Sequence, residues 1–83
     1  MARVVLTPEV SRQFTSGVSE LDVPGDSVRG LLRELDKRFP GLGKVLDAGG
    51  MAVAIDGDIH QDALLESVGP DSEVVFMPAL RGG

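Results

Sequence analysis

The apolar positions of this chain fall into two periods. Residues 2–7, ARVVLT, alternate: Val4 and Leu6 share one face, and Arg3, Val5 and Thr7 share the other. This predicts a strand ending at Pro8. Residues 8–18 are mostly polar and are expected to form a long hairpin tip. Residues 19–23, SELDV, alternate again, with Leu21 and Val23 on one side and Glu20 and Asp22 on the other. That pattern fits a half-buried strand in an antiparallel pair. After Pro24–Gly25 the period changes. Val28, Leu31, Leu32, Leu35 and Phe39 recur at helical spacing, the apolar stripe of an amphipathic helix. Asp26 or Ser27 can cap it, and Pro40–Gly41 stops it. Arg29, Arg33, Glu34, Lys37 and Arg38 lie largely off the stripe, with Glu34 and Arg38 at i,i+4 spacing. Gly30 inside the helix costs about 1 kcal/mol relative to alanine. It is either needed for close packing or merely tolerated.

Residues 42–47 suggest a short helical turn before an Ala48–Gly49–Gly50 loop. Residues 51–56, MAVAID, read as a strand with Val53 and Ile55 toward the core. Asp56–Gly57 signals a tight turn into a short return strand, Asp58–His60. Leu64 and Leu65 suggest a turn of α- or 3₁₀-helix. Glu73–Met77, EVVFM, is the last strand, with Pro78 ending its ladder and Ala79–Gly83 left as a tail. Val74 and Phe76 are expected to face the helix, and Val75 and Met77 to face out. One helix with one apolar stripe covers one face of one mixed sheet. With the first and last strands side by side in its centre, the arrangement is an α+β fold of the β-grasp type. The expected sheet has four to five strands, crossed on one face by one long helix. Residues 1–78 form the domain and 79–83 a flexible Gly-Gly tail.

Length and composition agree with one small globular domain: 83 residues, 42% hydrophobic and 25% charged. There is no cysteine, so disulfides, thiolate metal sites and cysteine nucleophiles are excluded. No leader and no membrane-spanning run is expected, which makes cytoplasm the default location. The net charge is −5, and no basic residue occurs between Lys44 and Arg81. That acidic stretch argues against nucleic acid and anionic membranes as partners.

No metal or catalytic constellation emerges. Asp56, Asp58, His60 and Asp62 alternate but do not match a calcium loop, whose sixth position would be Gln61 rather than glycine. His60 is the only histidine and is expected at an exposed edge. The serines lack a nucleophile context. Gly41–Leu42–Gly43–Lys44 lacks the spacing of a P-loop. An autonomous enzyme is therefore not expected, and no cofactor is expected to be bound.

Three segments together carry a resemblance: GDSVRGLLRELDKRF at 25–39, VAIDGD at 53–58 and DSEVVFMPALRGG at 71–83. With them the chain resembles the ubiquitin-like sulfur carriers, of the type of the small subunit of molybdopterin synthase and the thiamine-biosynthesis carrier. The resemblance implies that an ATP-dependent, ubiquitin-activating-type enzyme adenylates the carboxylate of Gly83. A sulfur-supplying system then replaces AMP, leaving a thiocarboxylate. A sulfur-accepting synthase takes the sulfur. Length and Pro78 favour the molybdopterin synthase large subunit as that acceptor, with thiazole synthase or cysteine synthase as alternatives. A second possibility is a protein modifier joined through Gly83 to lysines, and a third is an interaction domain with an inert tail.

The physical part of that expectation rests on the tail. Five residues, Ala79–Gly83, reach at most about 17 Å. Without β-carbons at Gly82 and Gly83, the backbone can thread a narrow channel. Val75, Met77 and Leu80 are expected to form an apolar docking patch beside the tail, bordered by Ala52 and Ala54. Arg81 is available to pair with acidic groups at a channel mouth.

Overall fold

A computed structural model describes residues 1–47 and 51–78. The elements follow the chain as β1 (Ala2–Val5), α1 (Pro8–Phe14), β2 (Glu20–Val23), α2 (Val28–Arg38), α3 (Leu42–Leu46), β3 (Met51–Ile55), β4 (Asp58–His60) and β5 (Glu73–Pro78). The five strands form one sheet in the order β2-β1-β5-β3-β4. The central pair, β1 and β5, is parallel, with Val4 opposite Val74 and Val5 opposite Val75. The other three pairings are antiparallel. This is the β-grasp expected from the sequence.

The core lies between the sheet and α2. Ala2, Val4 and Leu6, Val23, Val53 and Ile55, and Val74 and Phe76 meet Val28, Leu31, Leu32 and Leu35 there. Phe39, at the C-cap of α2, packs partly buried against the same cluster. Phe76 and Val74 are 2% and 0% exposed, so the strand that leads to the tail is bedded in the core. At about 25 cal/mol per Å² of apolar surface, burial of such side chains dominates the stability of a domain this small.

Helix α2 begins at Ser27, whose Oγ accepts from Gly30 N–H at 3.1 Å. The remaining first-turn donors find carbonyls in the loop before β5: Val28 N–H reaches Glu66 O, and Arg29 N–H reaches Leu64 O, each at 3.0 Å. Three of the four amides that a helix start leaves unpaired are thus satisfied. This also explains a correction. Leu64 and Leu65 form a turn rather than a helix, because the Leu64 carbonyl is committed to α2. At Gly30 a β-carbon would meet Ser27 Oγ at 3.4 Å and Gly25 Cα at 3.9 Å, both ordinary contacts, so this glycine is tolerated rather than required.

Residues 8–18 correct the expectation of a hairpin tip, because their first part is helix α1. Thr7 caps it by accepting from Val10 N–H at 3.2 Å, and Pro8 fits its first turn because the missing N–H would have no partner there. Pro8 therefore starts a helix as well as following a strand. The expected short turn at 42–47 is α3, held close to α2. The Asp36 carboxylate accepts from the amides of Gly41 and Gly43, both at 3.1 Å. A β-carbon at Gly43 would lie 2.9 Å from Asp36 Cβ and 3.0 Å from Leu32 O, so α3 approaches α2 only because this residue has no side chain. The Gly41–Lys44 motif is thus a packing device. The Ala48–Gly50 loop lies outside the described residues.

Candidate functional site: the outer sheet face and the root of the tail

Pairing register fixes what the sheet presents on the side away from α2. One row crosses four strands: Val5 on β1, Val75 on β5, Ala54 on β3 and Ile59 on β4. The next row sets Met77 opposite Ala52. Val75 and Met77 are half-buried on this face, as the alternation of EVVFM predicts, while Ile59 is 61% exposed. Ala52 and Ala54 share the face but are only 2% and 8% exposed. They form its floor, flanked by the larger Met77, Val75 and Ile59. The result is a shallow apolar surface whose rim toward the other end is charged. There Arg3 stands opposite Glu73 and Asp22 in the ladder, and its guanidinium lies 3.7 Å from Glu20.

Val5 and Ile59 belong to this surface although the expected patch did not include them. The signal for Ile59 was present in Asp56–Gly57. That dipeptide forms a two-residue turn with φ of 50° and 91°, joining Ile55 to Asp58, and so places Ile59 opposite Ala54. Val5 needed the parallel β1–β5 register, which alternation within one strand does not reveal.

Asp56 has a second task. Its Oδ1 accepts from Glu73 N–H and its Oδ2 from Ser72 O–H, each at 2.9 Å. Its own N–H donates to Glu73 O, also at 2.9 Å. The hairpin turn is thereby tied to the start of β5, the strand that leads to the tail. Asp58 and Asp62 are exposed, and His60 Nδ1 stands 3.7 Å from Glu66 Oε1 at the sheet edge. Among the described residues no group of three His, Asp or Glu side chains is placed to hold a metal ion.

At the other end of β5, Pro78 is the last strand residue, opposite Met51, rather than a residue beyond the ladder. A terminal strand position tolerates proline because its missing donor interrupts no further pairing. Pro78 also lines a groove of about 680 Å³ with Pro8, Val10, Val45 and Met51, so α1 and α3 both border the root of the tail. Leu80, Arg81, Gly82 and Gly83 lie outside the described residues. Among the described residues no helix is long and apolar enough to cross a membrane.

A β-grasp domain with an apolar outer sheet face and a central strand running toward Gly-Gly defines a ubiquitin-like protein. The ThiS family model matches residues 5–83, and the chain belongs to this family of ubiquitin-like sulfur carriers, which are carrier proteins and not catalysts. Among solved structures, a chain of the Amycolatopsis orientalis BexX/CysO complex superposes with a TM-score of 0.84 at 17% identity, covering 100% of both chains. CysO of Mycobacterium tuberculosis, described as an antigen, gives 0.84 at 13% identity over 96% of this chain and 100% of that one. The small archaeal modifier protein 1 of Methanosarcina acetivorans gives 0.76 at 23% identity, covering 99% and 95% respectively. No curated protein sequence matches the chain significantly.

Proposed function

We propose that this chain carries sulfur as a thiocarboxylate on Gly83. In this reading the Gly83 carboxylate attacks the α-phosphorus of ATP in a separate activating enzyme, releasing pyrophosphate. A sulfur nucleophile then displaces AMP. Direct displacement is hard because carboxylate oxygen is a poor leaving group, and the mixed anhydride with AMP supplies a good one. Inside an acceptor synthase the thiocarboxylate sulfur bonds to the acceptor, and water hydrolyses the resulting thioester, leaving the sulfur on the acceptor and restoring the Gly83 carboxylate. Residues 1–78 act as the handle and 79–83 as the part that enters each active site. Val5, Val75, Met77 and Ile59, with Leu80, hold the activating enzyme while the tail threads, and Arg81 pairs with acid at the channel mouth. The acceptor is a synthase of the molybdopterin large-subunit type, with cysteine synthase and thiazole synthase as the other candidates, and the setting is cytoplasmic.

The observation that carries this reading is the family match, which runs through Gly82–Gly83 on a β-grasp. The test is intact-mass spectrometry of the full chain after incubation with an adenylating enzyme of this family, ATP and a sulfide source. Exchange of one oxygen for sulfur at Gly83 supports the proposal; an unchanged mass from a chain proven competent to bind the enzyme sinks it. A second reading, conjugation to lysines of other proteins, is favoured by the likeness to the modifier protein SAMP1 of Methanosarcina acetivorans and of Haloferax volcanii, the latter 25% identical over 99% of this chain with a TM-score of 0.68. Lysine adducts carrying the Gly83 carbonyl distinguish it.

A further inference from the structure

Charge is segregated in this molecule. From Asp47 to Glu73 there is no lysine or arginine and His60 is the one base, whereas α2 and α3 carry Arg29, Arg33, Lys37, Arg38 and Lys44 beside Glu34 and Asp36. Arg38 is occupied: it pairs with Glu34 at 3.5 Å and donates to Asp22 O at 3.1 Å. The other four are exposed and form no ion pair among the described residues. They line one groove of about 620 Å³ between α2, α3 and the loop at Leu64. Two carboxylates share it, so four cations face two anions: Asp36, whose Oδ1 is turned to the amides of Gly41 and Gly43, and Asp47 at the end of α3. The floor is apolar, made by Leu32, Gly43 and Leu64.

Arg29, Arg33 and Lys37 stand one turn apart on α2, so their stripe is about 12 Å long with roughly 6 Å between charges. Such a stripe does not converge on one point and is ill suited to a single phosphate. It matches a linear polyanion. Nucleic acid fits poorly, since the three phenylalanines are the only aromatics and all are core or half-buried, leaving no stacking platform. An apolar floor between cations suits a peptide with carboxylates beside an aliphatic side chain.

We infer that this groove docks an acidic, leucine- or isoleucine-containing segment of a partner protein. The groove lies on the helical side of the sheet and the apolar row lies on the other side. A partner seated here leaves the outer face and the tail root free. The carrier is therefore built to be held by one protein while a second handles its C-terminus, which raises the effective concentration of the tail at its working site. This placement does not depend on what Gly83 carries.

The test uses the full chain, isotope-labelled for NMR, and a peptide of about eight residues, glutamates with one central leucine, long enough to follow the stripe. Its counterpart has glutamine at every glutamate. Expected are amide shifts confined to residues 29–37, 43–47 and 64, and binding at least tenfold tighter for the glutamate peptide. Binding should weaken with added salt. Charge reversal of two exposed cations, R33E with K37E, should weaken it at least tenfold, while Ile59→Ala leaves it unchanged. Equal binding of the two peptides, shifts on the outer sheet face, or indifference to R33E/K37E each overturns the inference. So does tighter binding of an oligothymidylate or of anionic phosphatidylserine vesicles to the same groove.

Discussion

Ile59 offers the sharpest test of the outer face. The residue is 61% exposed on β4 and is not part of the core cluster. Fully burying an isoleucine contributes about 1.5–3 kcal/mol, so covering the exposed three-fifths against a partner contributes about 1–2 kcal/mol. Alanine retains the β-carbon, which leaves a loss of about 1 kcal/mol, or roughly fivefold in affinity. We therefore expect Ile59→Ala to raise about fivefold the carrier concentration that half-saturates ATP–pyrophosphate exchange by the activating enzyme. Its unfolding free energy in urea should stay within about 0.5 kcal/mol of the parent, as for other exposed sites. Leu65 provides the control, being 79% exposed but outside the sheet; Leu65→Ala should change neither quantity. If Ile59→Ala saturates the enzyme like the parent chain, or Leu65→Ala shifts it equally, the outer face is not the contact surface.

Three other outcomes follow from the same geometry. Asp56→Ala removes two charge-assisted hydrogen bonds at the start of β5 and should cost about 2 kcal/mol by urea denaturation, with Asp56→Asn losing less because asparagine still accepts and tolerates positive φ. Gly43→Ala drives a β-carbon to 2.9 Å from Asp36 Cβ and should destabilise by about 1–3 kcal/mol, read as a drop in melting temperature; a neutral result would mean α3 can move away from α2 freely. Deleting Gly82–Gly83 should leave the melting temperature within error and abolish any oxygen-for-sulfur exchange detected by mass, whereas full exchange in the shortened chain would refute the role given to Gly83.

Much of the architecture was readable because it is local. The five-residue stripe from Val28 to Phe39, the alternation in ARVVLT and EVVFM, and the Asp56–Gly57 turn each report a period or a backbone angle that neighbours in sequence impose. The inward assignment of Val74 and Phe76 needed nothing more. Helix α1 was legible in principle, since Thr7, Pro8 and Glu9 form a cap, a first-turn proline and a first-turn acid. It was obscured because its packing rests on little more than Val10 and Phe14, too few apolar residues to display a helical period.

What the chain determines alone is therefore most of the elements and the buried face of each. Only the tertiary structure decides which outward residues become neighbours. Val5, Val75 and Ile59 are far apart in sequence and meet in one row because a parallel pairing and two antiparallel pairings fix their register. Arg29, Arg33 and Lys37 share a helix face by period, but Lys44 and Leu64 join them only because Gly43 lets α3 approach and the Leu64 carbonyl is drawn to the first turn of α2. Surface juxtaposition depends on packing between elements, and one strand's alternation or one helix's period holds no information about it.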